Sequence, residues 1–318
     1  MQSASETLVE CHDLGRDYGQ HTAVDKVSFS LSRGEVLAFL GPNGAGKSST
    51  MNMLTGCLAP SRGSVRIAGI DLLESPKSAK AHVGYLPEHP PLYPELTVNE
   101  YLAFTARLRG LRREKVRQAV ARARARCGLE RQGKRLIGHL SRGYQQRVGI
   151  AQAIIHEPAL VILDEPTVGL DPIQVREIRA LIRELGQDHG VILSTHILPE
   201  VTATCSRVQI MFRGRLVYED HMAAINRGHS RQLRLTLSYP IDPSALWELP
   251  GVESVEKLDE QDFRIQHAGR EELAPMAAEL AVKQGWGLKR LEPEQASLEQ
   301  IFVALTGQDN APAEGAAA

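Results

Sequence analysis

The chain has 318 residues, 42% of them apolar and 24% charged, with a formal net charge of −1 at pH 7. That length allows two domains and a sizeable core, and the near-zero charge argues against a general nucleic-acid-binding surface. Four scattered cysteines (Cys11, Cys57, Cys127, Cys205) form no C-x-x-C pair; they read as reduced, buried thiols, with no zinc site expected.

Met1 to Gly19 holds no apolar core of a secretion signal, and no apolar stretch approaches the ~20 residues that cross a bilayer. The first chemical motif follows the apolar run Val36-Leu37-Ala38-Phe39-Leu40, which reads as a buried strand. Gly41-Pro42-Asn43-Gly44-Ala45-Gly46-Lys47-Ser48 fits G-x-x-x-x-G-K-[ST], and Ser49 to Thr55 can open a helix. Glycines let such a loop aim several backbone N–H groups at phosphates, and the helix N-terminus adds partial positive charge. Lys47 is expected to reach the β- and γ-phosphates and the Ser48 hydroxyl to ligate Mg²⁺. This chain is expected to bind a nucleotide triphosphate.

Gly84-Tyr85-Leu86-Pro87-Glu88 continues into His89-Pro90-Pro91-Leu92-Tyr93-Pro94. Four prolines in eight residues exclude helix and strand and predict a stiff surface loop. Between Arg107 and Arg135 stand twelve Lys/Arg against two acids, Glu114 and Glu130. They form either a solvated helix face or a surface held near anionic lipid headgroups or an acidic partner loop.

A second apolar run, Leu160-Val161-Ile162-Leu163, delivers Asp164-Glu165 to its C-terminal end, where ligands bind in open α/β sheets. Asp164 suits a Mg²⁺ shell, and Glu165 suits a general base that polarises the attacking water. Asp171-Pro172 provides an N-cap and first position for a helix whose Ile178, Leu181, Ile182 and Leu185 recur at core spacing.

Between the two carboxylate and phosphate motifs lies Leu140-Ser141-Arg142-Gly143-Tyr144, 23 residues before Asp164 at Ser141 and at the start of a helix predicted over Tyr144 to Ile155. Here the chain resembles the ATP-binding cassette (ABC) ATPases, whose signature reads L-S-G-G-Q; Arg142 replaces the first glycine and Tyr144 the glutamine. The resemblance implies that Ser141 and Gly143 contact ATP held by the opposite protomer, and a helix N-terminus with a hydroxyl is a good phosphate site. Four further positions fall in the family's order. Val168-Gly169-Leu170-Asp171 matches the D-loop, and Ser194-Thr195-His196 matches the switch histidine, which orients the water beside Glu165. Glu88 stands at the Q-loop where many members have Gln, placing a carboxylate near the Mg²⁺ and water. Tyr18 matches the aromatic that stacks on adenine, though a packing role fits it as well. Of eleven histidines only His196 is assigned to chemistry. The Glu88 and L-S-x-G-Tyr variants resemble ABC-2 type exporter ATPases, including the gliding-motility-associated group, more than importer ATPases.

The resemblance covers about Leu8 to Tyr218. It implies an α/β phosphate-loop nucleotide-binding domain over residues 1–228, with a helical subdomain at about 96–140 that meets a membrane subunit. From Arg231 the pattern changes. Strands over Leu233 to Leu237, Val252 to Leu258, Phe263 to His267 and Trp286 to Leu291 alternate with helices over Pro243 to Leu249 and Glu271 to Gln284. Leu273, Met276, Ala277 and Leu280 share a face of the latter. The order βαββαβ predicts a ferredoxin-like accessory domain over 229–307. The closing Ser297 to Gly307 resembles the S-L-E-x-x-F-x-x-L-T-G ending of ABC-2 type ATPases, and 308–318 has too little apolar bulk to fold.

Two functions compete. One is the Mg²⁺-dependent ATP-hydrolysing subunit of an exporter: a dimer, expected to be of two identical chains, closes around two ATP and drives a separate multi-span permease from the cytoplasmic face of the membrane. The other is a soluble non-transport ABC ATPase acting on ribosomes or nucleic acid. The single uninterrupted cassette, without zinc spacing or heptads, favours the first. A non-hydrolysing sensor is disfavoured by Glu165 and His196.

Overall fold

The computed structural model describes residues 6–227, 232–267, 273–294 and 297–307. The chain divides between His221 and Met222 into two compact units.

The first unit runs β1 (Thr7–Tyr18), β2 (His21–Ser32), β3 (Val36–Leu40), α1 (Lys47–Leu54), β4 (Arg62–Ile67), β5 (Ile70–Asp71), α2 (Pro76–Lys80) and β6 (Val83–Leu86). It continues with α3 (Val98–Leu108), α4 (Arg113–Arg126), α5 (Arg142–Ile154), β7 (Leu160–Asp164), α6 (Pro172–Asp188), β8 (Gly190–Thr195), α7 (Leu198–Thr204), β9 (Arg207–Phe212) and β10 (Arg215–His221). Two sheets result. One is antiparallel in the order β2-β1-β4-β5; the other has the order β10-β9-β3-β8-β7-β6 and is parallel from β9 to β6. Every residue of β3, β7 and β8 is buried. Central parallel strands covered on both faces need such continuous apolar runs. Leu14, Leu31, Phe39, Met51, Leu54 and Ile67 pack into one core that joins the antiparallel sheet, α1 and the parallel sheet.

Register is what builds the site. Leu40 pairs with Thr195 and Asp164 with Ser194, so β3, β8 and β7 end at one level. Their C-terminal ends open side by side on one edge of the sheet.

Two helices begin earlier than expected. The phosphate-loop helix starts at Lys47 and the signature helix at Arg142, with Ser141 as its N-cap. Asp171 caps α6 through the N–H groups of Ile173 and Gln174, and Ile178, Leu181, Ile182 and Leu185 are buried. α3 opens on a reciprocal Thr97–Glu100 cap. The loop over 87–96 carries no helix or strand. Cys11, Cys127 and Cys205 are buried but Cys57 is exposed, a departure from the expectation of four buried thiols.

The second unit holds α8 (Met222–Arg227), β11 (Gln232–Leu237), β12 (Val252–Asp259), β13 (Asp262–His267), α9 (Leu273–Lys283), β14 (Leu288–Glu294) and α10 (Leu298–Thr306). Its antiparallel sheet has the order β12-β13-β11-β14, the ferredoxin-like arrangement. The predicted first helix is a 3-10 turn, Pro243–Glu248, because six residues opened by Pro and capped by Asp242 are too few for a stable α-helix. On α9 the buried face is Leu273, Ala277 and Ala281; Met276 is exposed. Ser297 caps α10 reciprocally with Gln300. Arg231, Glu271 and the segment 308–318 lie outside the described residues.

Candidate active site

The loop after β3 owes its shape to two different demands on glycine. Gly46 caps α1 at φ 101°, a conformation only glycine adopts without strain. Gly41 has an ordinary backbone, but a Cβ there would lie 2.3 Å from the Met211 carbonyl oxygen of β9. The N–H groups of Lys47, Ser48 and Ser49 open α1 and have no partner within the helix. These residues border a cleft of about 550 Å³ lined by Tyr18, His21, Ala23, residues 43–49, Glu88, Glu165, Val168 and His196.

Most of the predicted residues therefore meet in one place. Asn43, Gly44, Ala45, Gly46, Lys47, Ser48, Ser49, Tyr18, Glu88, Glu165 and His196 line the cleft. Tyr18 is 47% exposed and has the Arg16 guanidinium 4.8 Å from its ring centroid. Gly41 and Pro42 stand behind the loop, where their carbonyls accept from Lys47 Nζ at 2.7 and 3.1 Å. Ser141, Gly143 and Asp171 do not line this cleft. Gly143 is buried against the Gln174 side chain, and the Arg142 guanidinium lies over Gly169 of the D-loop.

The carboxylates are held tightly. Glu165 takes φ 47°, which costs a non-glycine residue of order 1–2 kcal/mol. Its N–H donates to Ser194 O at 2.9 Å, and its Oε1 lies 2.9 Å from His196 Nδ1 and 3.9 Å from Lys47 Nζ. Burial lowers the Lys47 ammonium from its ordinary value, while Glu165, Asp164 and Glu88 act against that shift. Burial also raises the Asp164 carboxyl.

Two buried oxygens, Asp164 Oδ1 and Glu165 Oε2, have no hydrogen-bond partner. Orphaned buried carboxylate oxygens are costly unless a cation or donor meets them. Among the described residues no group of three or more His, Cys, Asp or Glu could hold a metal by itself. The orphaned oxygens fit Mg²⁺, which takes one or two protein oxygens and completes its shell with phosphate and water.

The sequence pattern missed His21. It pairs with Tyr18 across the turn at Gly19, which has φ 61°, and so joins the cleft wall. The hairpin signal was present in Tyr18-Gly19-Gln20-His21, but only the pairing reveals the side of the sheet.

Comparison with known proteins agrees with this geometry. Residues 24–168 match the family model described as ABC transporter. An uncharacterised ABC transporter ATP-binding protein of Bacillus subtilis, YxlF, is 33% identical over 93% of this chain and 98% of its own length. The chain belongs to the ATP-binding proteins of ABC transporters. The bacitracin transport ATP-binding protein BcrA of Bacillus licheniformis is 32% identical over 95% of this chain and 98% of that protein. A solved ATP-binding subunit of an ABC transporter superposes with a TM-score of 0.63 at 35% identity, over 70% of this chain and 92% of that one. The chain is thus an ATPase that hydrolyses ATP to drive transport. Proteins of this family work as dimers with a separate membrane permease. Among the described residues no helix is long and apolar enough to cross a membrane.

Proposed function

We propose that two identical copies of this chain power an exporter, each copy hydrolysing ATP in the cleft at the ends of β3, β8 and β7. The observation that carries this reading is the 2.9 Å contact between Glu165 and His196 beside Lys47. Glu165 acts as general base on the attacking water, and His196 orients it. Lys47 and the N–H groups that open α1 bind the phosphates, and Tyr18 stacks on the base. Ser48, Asp164 and Glu88 would hold Mg²⁺, which when bound draws charge from the transferred phosphoryl group.

Ser141, Gly143 and Asp171 stand away from their own chain's cleft, as suits groups that meet the nucleotide of a second copy. A two-fold pair then sandwiches two ATP. Closure around ATP favours one state of the dimer over the other, and hydrolysis releases it. The stiff loop over 87–94 suits transmission of that motion to the permease.

Export follows the ABC-2 type variants at Glu88 and Tyr144. It accords with the names of relatives, among them a linearmycin resistance ATP-binding protein of Bacillus subtilis, 29% identical over 95% of this chain. A place at the inner face of the membrane is supported by the basic face of α4. Arg122 and Arg126 of that helix pair with Glu157 and Asp188, whereas Arg107, Arg113 and Arg117 line an open cleft between α3 and α4.

Glu165→Gln tests the reading. It is expected to bind ATP normally, to lose at least ~10²-fold in turnover as a missing general base does, and to accumulate as an ATP-bound dimer by light scattering. Normal turnover in this variant would exclude Glu165 as the base.

A further inference from the structure

Behind the cleft lies a carboxylate to which none of the site motifs gives a role. Glu200, on α7, is 1% exposed. Its Oε1 accepts from the Thr167 hydroxyl, and its Oε2 accepts from Thr195 Oγ1 at 2.8 Å. Both threonines are buried, at 4% and 0% exposed. Thr167 stands two residues after Glu165, and Thr195 immediately before His196.

The connection to His196 is a short relay. Thr195 Oγ1 accepts from the N–H of Ile197 at 3.1 Å, which leaves its own proton for Glu200. The Glu200 N–H in turn donates to Ile197 O at 3.0 Å. The turn that carries His196 is thus fastened on both sides of the histidine. On the other arm, Thr167 lies within the turn in which Val168 N–H donates to Glu165 O at 3.3 Å.

A carboxylate buried this deeply is costly. Burial raises its carboxyl, and the Thr195 hydroxyl and then the charge of Arg179 act against that rise, with no salt bridge to Glu200 among the described residues. An apolar residue of similar volume would serve packing at least as well. What an apolar residue cannot do is grip two hydroxyls on two different loops at once.

We propose that Glu200 is a positioning residue: by tying the turn after Glu165 to the turn bearing His196, it sets the contact between those two groups. The inference rests on the assignment of Glu165 and His196 to the hydrolytic step. Neither the phosphate loop nor Tyr18 touches this relay, so the role predicts a defect in turnover and not in nucleotide binding.

The test is steady-state ATPase kinetics of full-length Glu200→Ala, Glu200→Gln and Thr195→Val, each alone and combined with His196→Ala. Glu200→Ala is expected to lower kcat about 10-fold or more with KM for ATP within about twofold, the signature of an interaction made in the chemical step. Glu200→Gln, which keeps one acceptor oxygen, should fall between. In the His196→Ala background the added loss should shrink to less than about twofold, because residues acting as a unit are non-additive. Thr195→Val, nearly isosteric, carries the same expectation if Glu200→Ala does not fold. An unchanged kcat in the Glu200 and Thr195 variants, a loss confined to KM, or a loss fully additive with His196→Ala overturns the proposal. If His196→Ala alone turned over ATP normally, the assignment of His196 would fail first, and the proposal with it.

Discussion

Nδ1 of His196 lies 2.9 Å from Oε1 of Glu165, although the two residues are 31 apart in the chain. They meet because β7 and β8 are neighbours in parallel register, with Asp164 opposite Ser194. The Glu165 backbone is bent to φ 47° at that point, and its N–H is tied to Ser194 O. Local strain of this kind persists where surrounding structure over-determines it, which is common at active sites.

His196→Ala removes the imidazole to which the proposed function gives the orienting of the water, while leaving Glu165 in place. Turnover should fall about 10²–10³-fold, the range for loss of one preorganised polar group, with ATP binding nearly unchanged. Single-turnover hydrolysis and equilibrium nucleotide binding separate the two effects. A variant with normal hydrolysis would remove His196 from the mechanism.

Lys47 Nζ is turned onto the carbonyls of Gly41 and Pro42 at 2.7 and 3.1 Å, with Glu165 at 3.9 Å. Its removal deletes a charge-assisted contact and the ammonium on which the charges of Glu165, Asp164 and Glu88 act. Lys47→Ala should weaken ATP binding by ~10- to 100-fold, as expected from about 1.5–3 kcal/mol for a hydrogen bond to a charged group. Titration with a fluorescent ATP analogue measures it.

Gly41 is required for close approach and not for an unusual backbone angle. The Cβ of Gly41→Ala would sit 2.3 Å from the Met211 carbonyl oxygen, a backbone atom of β9. Strand and loop must separate, so a loss of about 1–3 kcal/mol in stability is expected, typical of overpacking. ATP affinity should fall with it, because the same shift moves the loop. Urea denaturation and nucleotide titration of one preparation test both.

His156 gives the fold an acid sensitivity of its own. Burial, with Arg109 adding to it, lowers its imidazole to about 4; Nε2 lies 3.2 Å from Val83 O and Nδ1 has no partner. Its ordinary value is about 6.5, so between the two the unfolded chain binds the proton and the folded one does not. Stability from this group is full above the unfolded value and declines as pH falls toward 4. Between pH 7 and 5.5 the loss should be about 1 kcal/mol. Buried Asp164 and Glu200, both raised by burial, shift in the opposite sense on protonation. The His156 share is therefore read as the difference in pH slope between the parent and His156→Gln, and equal slopes would refute it.

Much of the site was legible because its signals are local. A phosphate loop needs glycines, a lysine and a strand before it. A capped helix needs Asp171 and Pro172 in adjacent positions. Paired carboxylates after an apolar run mark a strand end. The helix starts at Lys47 and Arg142 were misjudged by two residues because a cap is defined by backbone angles that composition only hints at. Met276 shares a helical face with Leu273, Ala277 and Leu280 by spacing, yet it is exposed while Ala281 is buried, since the sheet beneath a helix sets its rotation.

The residue order along this chain was enough to specify which chemical groups exist and which element carries each. Hydrophobic period, glycine and capping act over a few residues and need no partner. How those groups face one another was decided only in three dimensions. The register of β3, β8 and β7 brings Lys47, Glu165 and His196 to one cleft, the hairpin turns His21 into its wall, and Arg142 settles over Gly169. Glu200 grips Thr167 and Thr195 only after their strands have paired. Such contacts link residues far apart in the chain, so their geometry follows from strand pairing and close packing and is written in no short stretch of sequence.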